Sequence, residues 1–109
     1  MRLSAFAAAT AAILSSMPPA LAAGNATDGK KKAQMCHSCH GPNGMAVLPN
    51  AANLAGQTEM YLKKALHDFK SGARKQENMT VVVEQLSDQD IADLAAFYSA
   101  IKITVENPK

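Results

Sequence analysis

The chain has 109 residues, 11 Lys and Arg against 9 Asp and Glu, 48% apolar side chains and no tryptophan. That length suits one small domain, and the nearly balanced charge excludes the polycation typical of a nucleic-acid binder. Two cysteines, Cys36 and Cys39, are too few for a disulfide-dense scaffold.

Residues 1–22 carry Arg2, an apolar run from Leu3 to Leu14, a Pro18-Pro19 break and a small-residue end at Ala20-Leu21-Ala22. This is the order of a secretory signal peptide, too short and interrupted for a good spanning helix. Cleavage after Ala22 leaves 87 residues, 23–109, as an exported single domain without a transmembrane segment. Four aromatics, Tyr61, Phe69, Phe97 and Tyr98, and an Ala-weighted apolar set make a thin core for that length. Exported chains of this size need a staple. A Cys36–Cys39 disulfide would close a loop too small to serve as one.

Ala23 to Thr27 reads as a short disordered lead, and Asp28 is expected to cap a helix running through Cys36, with Gly29 the weak point of its first turn. Residues 41–56 contain three Gly, two Pro and three Asn, which predicts an ordered loop. A loop so long points to a functional reason for its length. Thr58 reads as the N-cap of a helix that stops near Gly72 and carries Leu62, Ala65, Leu66 and Phe69 on one face. The run Thr80 to Val83 has strand propensity, but a lone strand has nothing to pair with. A loop through Met79 and a short helix carrying Val82 and Val83 are therefore expected. Ser87 caps the last helix, with Asp90 in the capping-box position and Ile91, Leu94, Ala95, Tyr98 and Ile101 at helical spacing.

The string Cys36-His37-Ser38-Cys39-His40 has the C-x-x-C-H form of a c-type haem attachment site. A helical turn sets both thiols on one side to add across the macrocycle's vinyl groups, and leaves His40 beneath the iron. A bare C-x-x-C would also suit dithiol chemistry or half a zinc site, and His37, His40 or His67 could formally complete a zinc set. His37 is expected to face solvent, and His67 to be a surface residue. A methionine sulfur is the natural sixth ligand. Met35 is tied to the wrong side, Met45 lies five residues past His40, and Met60, at a helix start, reads as a core or edge residue. Met79, 39 residues past His40, has the chain length to reach the opposite face. An open or otherwise ligated iron remains the alternative to it.

The strings CHSCHGPNG at 36–44, NLAGQTEMYLKKALHDFKSGAR at 53–74, NMT at 78–80 and LSDQDIADLAAFYS at 86–99 resemble class I cytochromes c. They are most similar to a single domain of the cytochrome c4 and c5-like (c-553-type) family of the bacterial periplasm. The resemblance implies an all-α fold wrapped around one covalent haem c, with the first and last helices crossing where Gly29 meets the Phe97-Tyr98 pair. It implies Cys36 and Cys39 as thioether positions, His40 and Met79 as iron ligands, and the carbonyl of Ala52 as acceptor for the axial His ring. The family commonly has proline at that last position, so its stiffness is lost here. Cytochrome c4 carries two such domains, whereas this chain has one motif.

With both axial positions filled there is no vacancy for substrate, so no catalytic residue and no enzymatic activity are expected. The implied function is periplasmic electron transfer by a soluble carrier. The alternatives are the haem subunit of a larger dehydrogenase such as flavocytochrome c, and a ligand-binding or weakly peroxidatic haem protein. Expected partners are redox proteins of the periplasm or membrane, such as a terminal oxidase or a flavin dehydrogenase subunit, with a weak homodimer as a further association and no nucleic acid. Residues 23–79 hold eight basic and four acidic side chains, net +4, and residues 80–109 hold two and five, net −3. Either this is an ordinary solvated surface, with Asp88 and Asp90 serving a helix end, or the basic half steers the protein toward an acidic partner.

Overall fold

A computed structural model describes residues 23–109, together with Met1 and Ala12 as isolated positions. The expected signal peptide therefore lies outside the described residues. The element order is α1 (Ala26–Lys32), a 3-10 turn (Ala33–Cys36), α2 (His37–His40), α3 (Glu59–Ser71), α4 (Glu77–Val83) and α5 (Asp88–Ala100), with no strand among the described residues. The fold is all-α.

The first helix begins earlier than local sequence indicates. Asn25 is its N-cap, its side chain accepting from the Asp28 amide at 3.0 Å, so Asp28 sits inside the first turn. Nor is the lead disordered. The Asn25 amide donates to Asp93 Oδ1 at 2.8 Å, and Gly24 lies so close to α5 that a Cβ on it would stand 2.1 Å from the Ala92 carbonyl oxygen. The partner that orders these residues is 68 positions away in sequence, beyond the reach of any local signal.

α3 follows its local signals. The Thr58 hydroxyl accepts from the Tyr61 amide at 3.3 Å, and Gly72 ends the helix in the left-handed region at φ +82°. Leu62 and Phe69 are buried, with Ala65 and Leu66 half-buried beside them. Met60 is not a core residue: it is 83% exposed, because the apolar stripe of α3 runs along the Leu62 side.

α4 corrects the loop expected through Met79. The Gln76 side chain accepts from the Met79 amide at 2.8 Å and starts the helix at Glu77. Met79 thus lies in the first helical turn. Gln is not among the strong N-cap formers, so the sequence does not mark this start. Thr80 to Val83 are helical and Val83 is buried; burial outweighs the strand propensity of the run.

In α5, Ser87 and Asp90 form the full capping box, and Ile91, Leu94, Ala95 and Tyr98 are buried. α5 packs across α1 and α3, and α3 packs on α4. The α1–α5 crossing depends on Gly29, where a Cβ would stand 2.0 Å from the Asp93 carbonyl oxygen and 2.8 Å from Phe97 Cβ. The close approach is therefore to the α5 backbone at Asp93 and to Phe97. Lys32 fastens the same crossing, donating to Asp93 Oδ2 at 2.6 Å and pairing with Asp90 at 2.7 Å. Ala33, Leu62, Phe69, Val83, Leu86, Ile91 and Leu94 form the core with Ala95 and Tyr98.

Candidate cofactor site

A cleft of about 220 Å³ opens into this core, and Cys36, Cys39, His40, Met79 and Tyr98 all contribute to its wall. Its remaining lining is largely apolar, including Leu54, Leu62, Leu66 and Phe69. Cys36 and Cys39, on the short helical turn, are half-buried and not joined in a disulfide. Burial pushes the Cys36 thiol above its ordinary pKa, against the opposing effect of the neighbouring Tyr98 hydroxyl.

His40 closes α2 and is 9% exposed. Its Nδ1 lies 2.6 Å from the carbonyl oxygen of Ala52. A carbonyl only accepts, so Nδ1 carries the proton and Nε2 keeps its lone pair for a metal. The loop between α2 and α3 is folded so as to supply that carbonyl. Amides of Val47 and Leu48 return to the Cys39 carbonyl at 3.0 and 3.4 Å, while those of Leu54 and Ala55 converge on the Gly44 carbonyl at 2.7 and 3.1 Å. Gly44 has φ +78°, and a Cβ there would stand 2.8 Å from the Ala55 nitrogen, so only glycine fits this pinch.

Met79 reaches the cleft from α4 and packs against the core. Met45 and Met60 do not line the cleft, and Met35 borders it while 42% exposed. His37 differs from its expected solvent-facing placement: its ring is half-buried and Nε2 is enclosed without a hydrogen-bond partner. His67 is exposed, with Nδ1 3.9 Å from Asp88 Oδ1. Among the described residues no three His, Cys, Asp or Glu side chains converge in a metal-binding cluster, so the zinc alternative lacks a ligand set.

Two wall residues carried no sequence signal for the site. Tyr98 belongs to the apolar stripe of α5, yet its hydroxyl is enclosed without a hydrogen-bond partner, in a cleft wall to which Cys36 also contributes. Burial holds its phenol far above the ordinary tyrosine range. Arg74, in the segment after α3, lies over the Phe69 ring at 4.6 Å from the centroid and borders the cleft. An apolar cleft holding two adjacent thiols, an imidazole nitrogen free for metal, a thioether and an orphaned buried hydroxyl fits a covalently held metal macrocycle.

The sequence pattern of the cytochrome c family matches residues 26–101. Cytochrome c4 of Pseudomonas aeruginosa is 48% identical over 84 residues, a match covering 77% of this chain and 42% of that protein. Cytochrome c-554(548) of Halomonas halodenitrificans is 42% identical over 81 residues, covering 72% of this chain and 98% of that one. The crystal structure of reduced recombinant cytochrome c4 from Pseudomonas stutzeri superposes with a TM-score of 0.71 at 42% identity, covering 76% of this chain and 48% of that chain. The chain thus spans less than half the length of the cytochrome c4 proteins it matches, and nearly the full length of the shorter relative.

Proposed function

Because the chain belongs to the cytochrome c family and carries one covalently attached haem c, we propose that it works as a periplasmic electron carrier with His40 and Met79 as the two iron ligands. The haem supplies a one-electron ferric/ferrous couple. Cys36 and Cys39 hold it through thioethers, and His40 offers Nε2 to the metal. The Ala52 carbonyl fixes the plane and tautomer of that imidazole. Met79 offers a soft sulfur to the same cleft from α4, and a Met/His pair raises the potential. The observation that carries the reading is this pairing of wall groups: an imidazole already oriented through Nδ1 and a methionine brought by a separate helix. Were His40 and Met79 both to ligate the iron, no position would be left for a substrate, and the protein would relay electrons without catalysing a reaction of its own.

Export follows from residues 1–22 read as a signal peptide. Among the described residues no helix is long and apolar enough to cross a membrane. Native purification tests the reading. The expected product starts at Ala23, has the mass of the polypeptide plus one haem retained in acid-organic extraction, and runs as a small protein that exchanges electrons reversibly with a soluble partner. Recovery solely in a stable complex with a flavin-bearing chain would replace the carrier by a dehydrogenase subunit. Free binding of carbon monoxide by the native protein would replace it by a ligand-binding haem protein.

A further inference from the structure

Among the described residues two buried side-chain polar atoms lack a hydrogen-bond partner, Nε2 of His37 and the hydroxyl of Tyr98. Of the two residues, only Tyr98 forms part of the cleft wall. Tyr98 is 3% exposed, and its ring is confined. A Cβ on Gly44 would stand 3.1 Å from Tyr98 Cδ1, the Phe97 ring centroid lies 4.9 Å away, and the Tyr98 carbonyl accepts from the Gly56 amide at 3.0 Å. These contacts fix the ring, and the hydroxyl it carries, in the cleft wall to which Cys36 also contributes and against whose core cluster Cys36 packs. A phenylalanine would fill this wall equally well without burying an unpaired hydroxyl.

We propose that Tyr98 is a positioning residue whose hydroxyl donates a hydrogen bond to the Cys36 sulfur once that sulfur is a thioether, and so biases the haem toward its reduced state. The inference rests on the reading of Cys36 as a haem attachment. A free thiol has a proton of its own and is a poor acceptor, whereas a thioether sulfur has only lone pairs to offer. Conversion to the thioether thus leaves the tyrosine as the one donor of the pair. Its O–H dipole then points its positive end at the macrocycle's edge, which disfavours the extra positive charge of the ferric state.

The test is Tyr98→Phe in the full, covalently loaded protein. The one-electron equilibrium is expected to shift at least about threefold toward the oxidised form, ~28 mV at 59 mV per tenfold, without a gain in melting temperature. In a Cys36→Ala background, with the Cys39 thioether retained, the same substitution is expected to leave the potential unmoved. Should Cys36→Ala not mature, resonance Raman decides instead: the C–S stretch of the Cys36 thioether shifts on exchange into deuterated water in the native protein and not in Tyr98→Phe. An unchanged potential in Tyr98→Phe, above all with a raised melting temperature, overturns the proposal, since the hydroxyl is then simply unpaired. A shift that persists in Cys36→Ala also overturns it, because the acceptor is then elsewhere, such as a haem carboxylate. Haem released by acid-organic extraction would instead defeat the underlying attachment reading, before Tyr98 is touched.

Discussion

Four methionines lie within the helices and loop around the cleft, and their exposures separate them. Met35, Met45 and Met60 are 42%, 46% and 83% exposed, whereas Met79 is half-buried against the core. Met79→Ala is expected to keep the covalent haem, abolish the thioether-to-ferric-iron absorption band, lower the reduction potential and open the iron to cyanide or carbon monoxide. Absorption spectra with and without cyanide check this. Met45→Ala and Met60→Ala are expected to keep the band and to change stability by less than about 0.5 kcal/mol, as exposed positions do. Loss of the band in either of these, with its survival in Met79→Ala, would reassign the ligand.

The α1–α5 crossing is the element-level joint of the molecule, and it has an apolar and an ionic part. Gly29→Ala forces a methyl group to within 2.0 Å of the Asp93 carbonyl oxygen, where the obstacle is backbone and cannot swing aside. A loss at or above the upper end of the ~1–3 kcal/mol range of overpacking is expected, read as a lower denaturant midpoint. The ionic part centres on Asp93, which accepts from Lys32, the Asn25 amide and Gln89. The hydrogen bond from Lys32, then those from Asn25 and Gln89, hold its carboxyl down at about 2. A carboxylate depressed in the folded state stabilises the fold above its unfolded pKa of about 3.9, and that contribution is lost as pH falls toward the folded value. Stability is therefore expected to decline between about pH 4 and 2. Asp93→Asn is expected to flatten that decline and to lower stability at neutral pH by about 1.5–3 kcal/mol, the range for hydrogen bonds to a charged group. Urea titrations at pH 7 and pH 3 measure both effects.

At the scale of the whole molecule, the cleft opens into the core, so the haem would fill interior that the side chains of residues 23–109 leave open. Cys36→Ala with Cys39→Ala is expected to yield a chain without cooperative thermal unfolding, because the void left behind far exceeds that of any side-chain truncation. Circular dichroism during heating tests this. The two halves, net +4 and net −3, nearly cancel, leaving +1 over residues 23–109, and Lys32 joins them through Asp90 and Asp93. The other three lysine pairs, Lys31 with Asp28, Lys63 with Glu59 and Lys64 with Asp68, lie within residues 23–79 and are already counted in its net +4. Electron-exchange rates with a soluble partner are accordingly expected to vary with ionic strength by less than the ~10-fold or more that strong electrostatic steering gives. A steeper fall in stopped-flow rates would restore the basic half as a steering surface.

The sequence by itself determined what rests on contiguous residues. The C-x-x-C-H string specifies the cofactor, Thr58 and Gly72 bound α3, and the Ser87–Asp90 box starts α5, because each of these signals acts within a few residues of itself. Gly, Pro and Asn between 41 and 56 mark a loop, and the resemblance placed the Ala52 carbonyl against His40, a contact the fold contains at 2.6 Å. Tertiary structure alone decided the rest. Asn25 starts α1 and residues 23–25 are ordered because Asp93, far along the chain, receives the Asn25 amide. Residues 80–83 are helical despite their strand propensity because Val83 is buried in a core built by α3 and α5. The Tyr98 hydroxyl is enclosed in the cleft wall because Gly44, from the loop before α3, closes on its ring. Periodicity assigns a residue to a buried face but carries no information about which polar atom waits across the interface. That is settled only when helices distant in sequence close on one another and exclude water from between them.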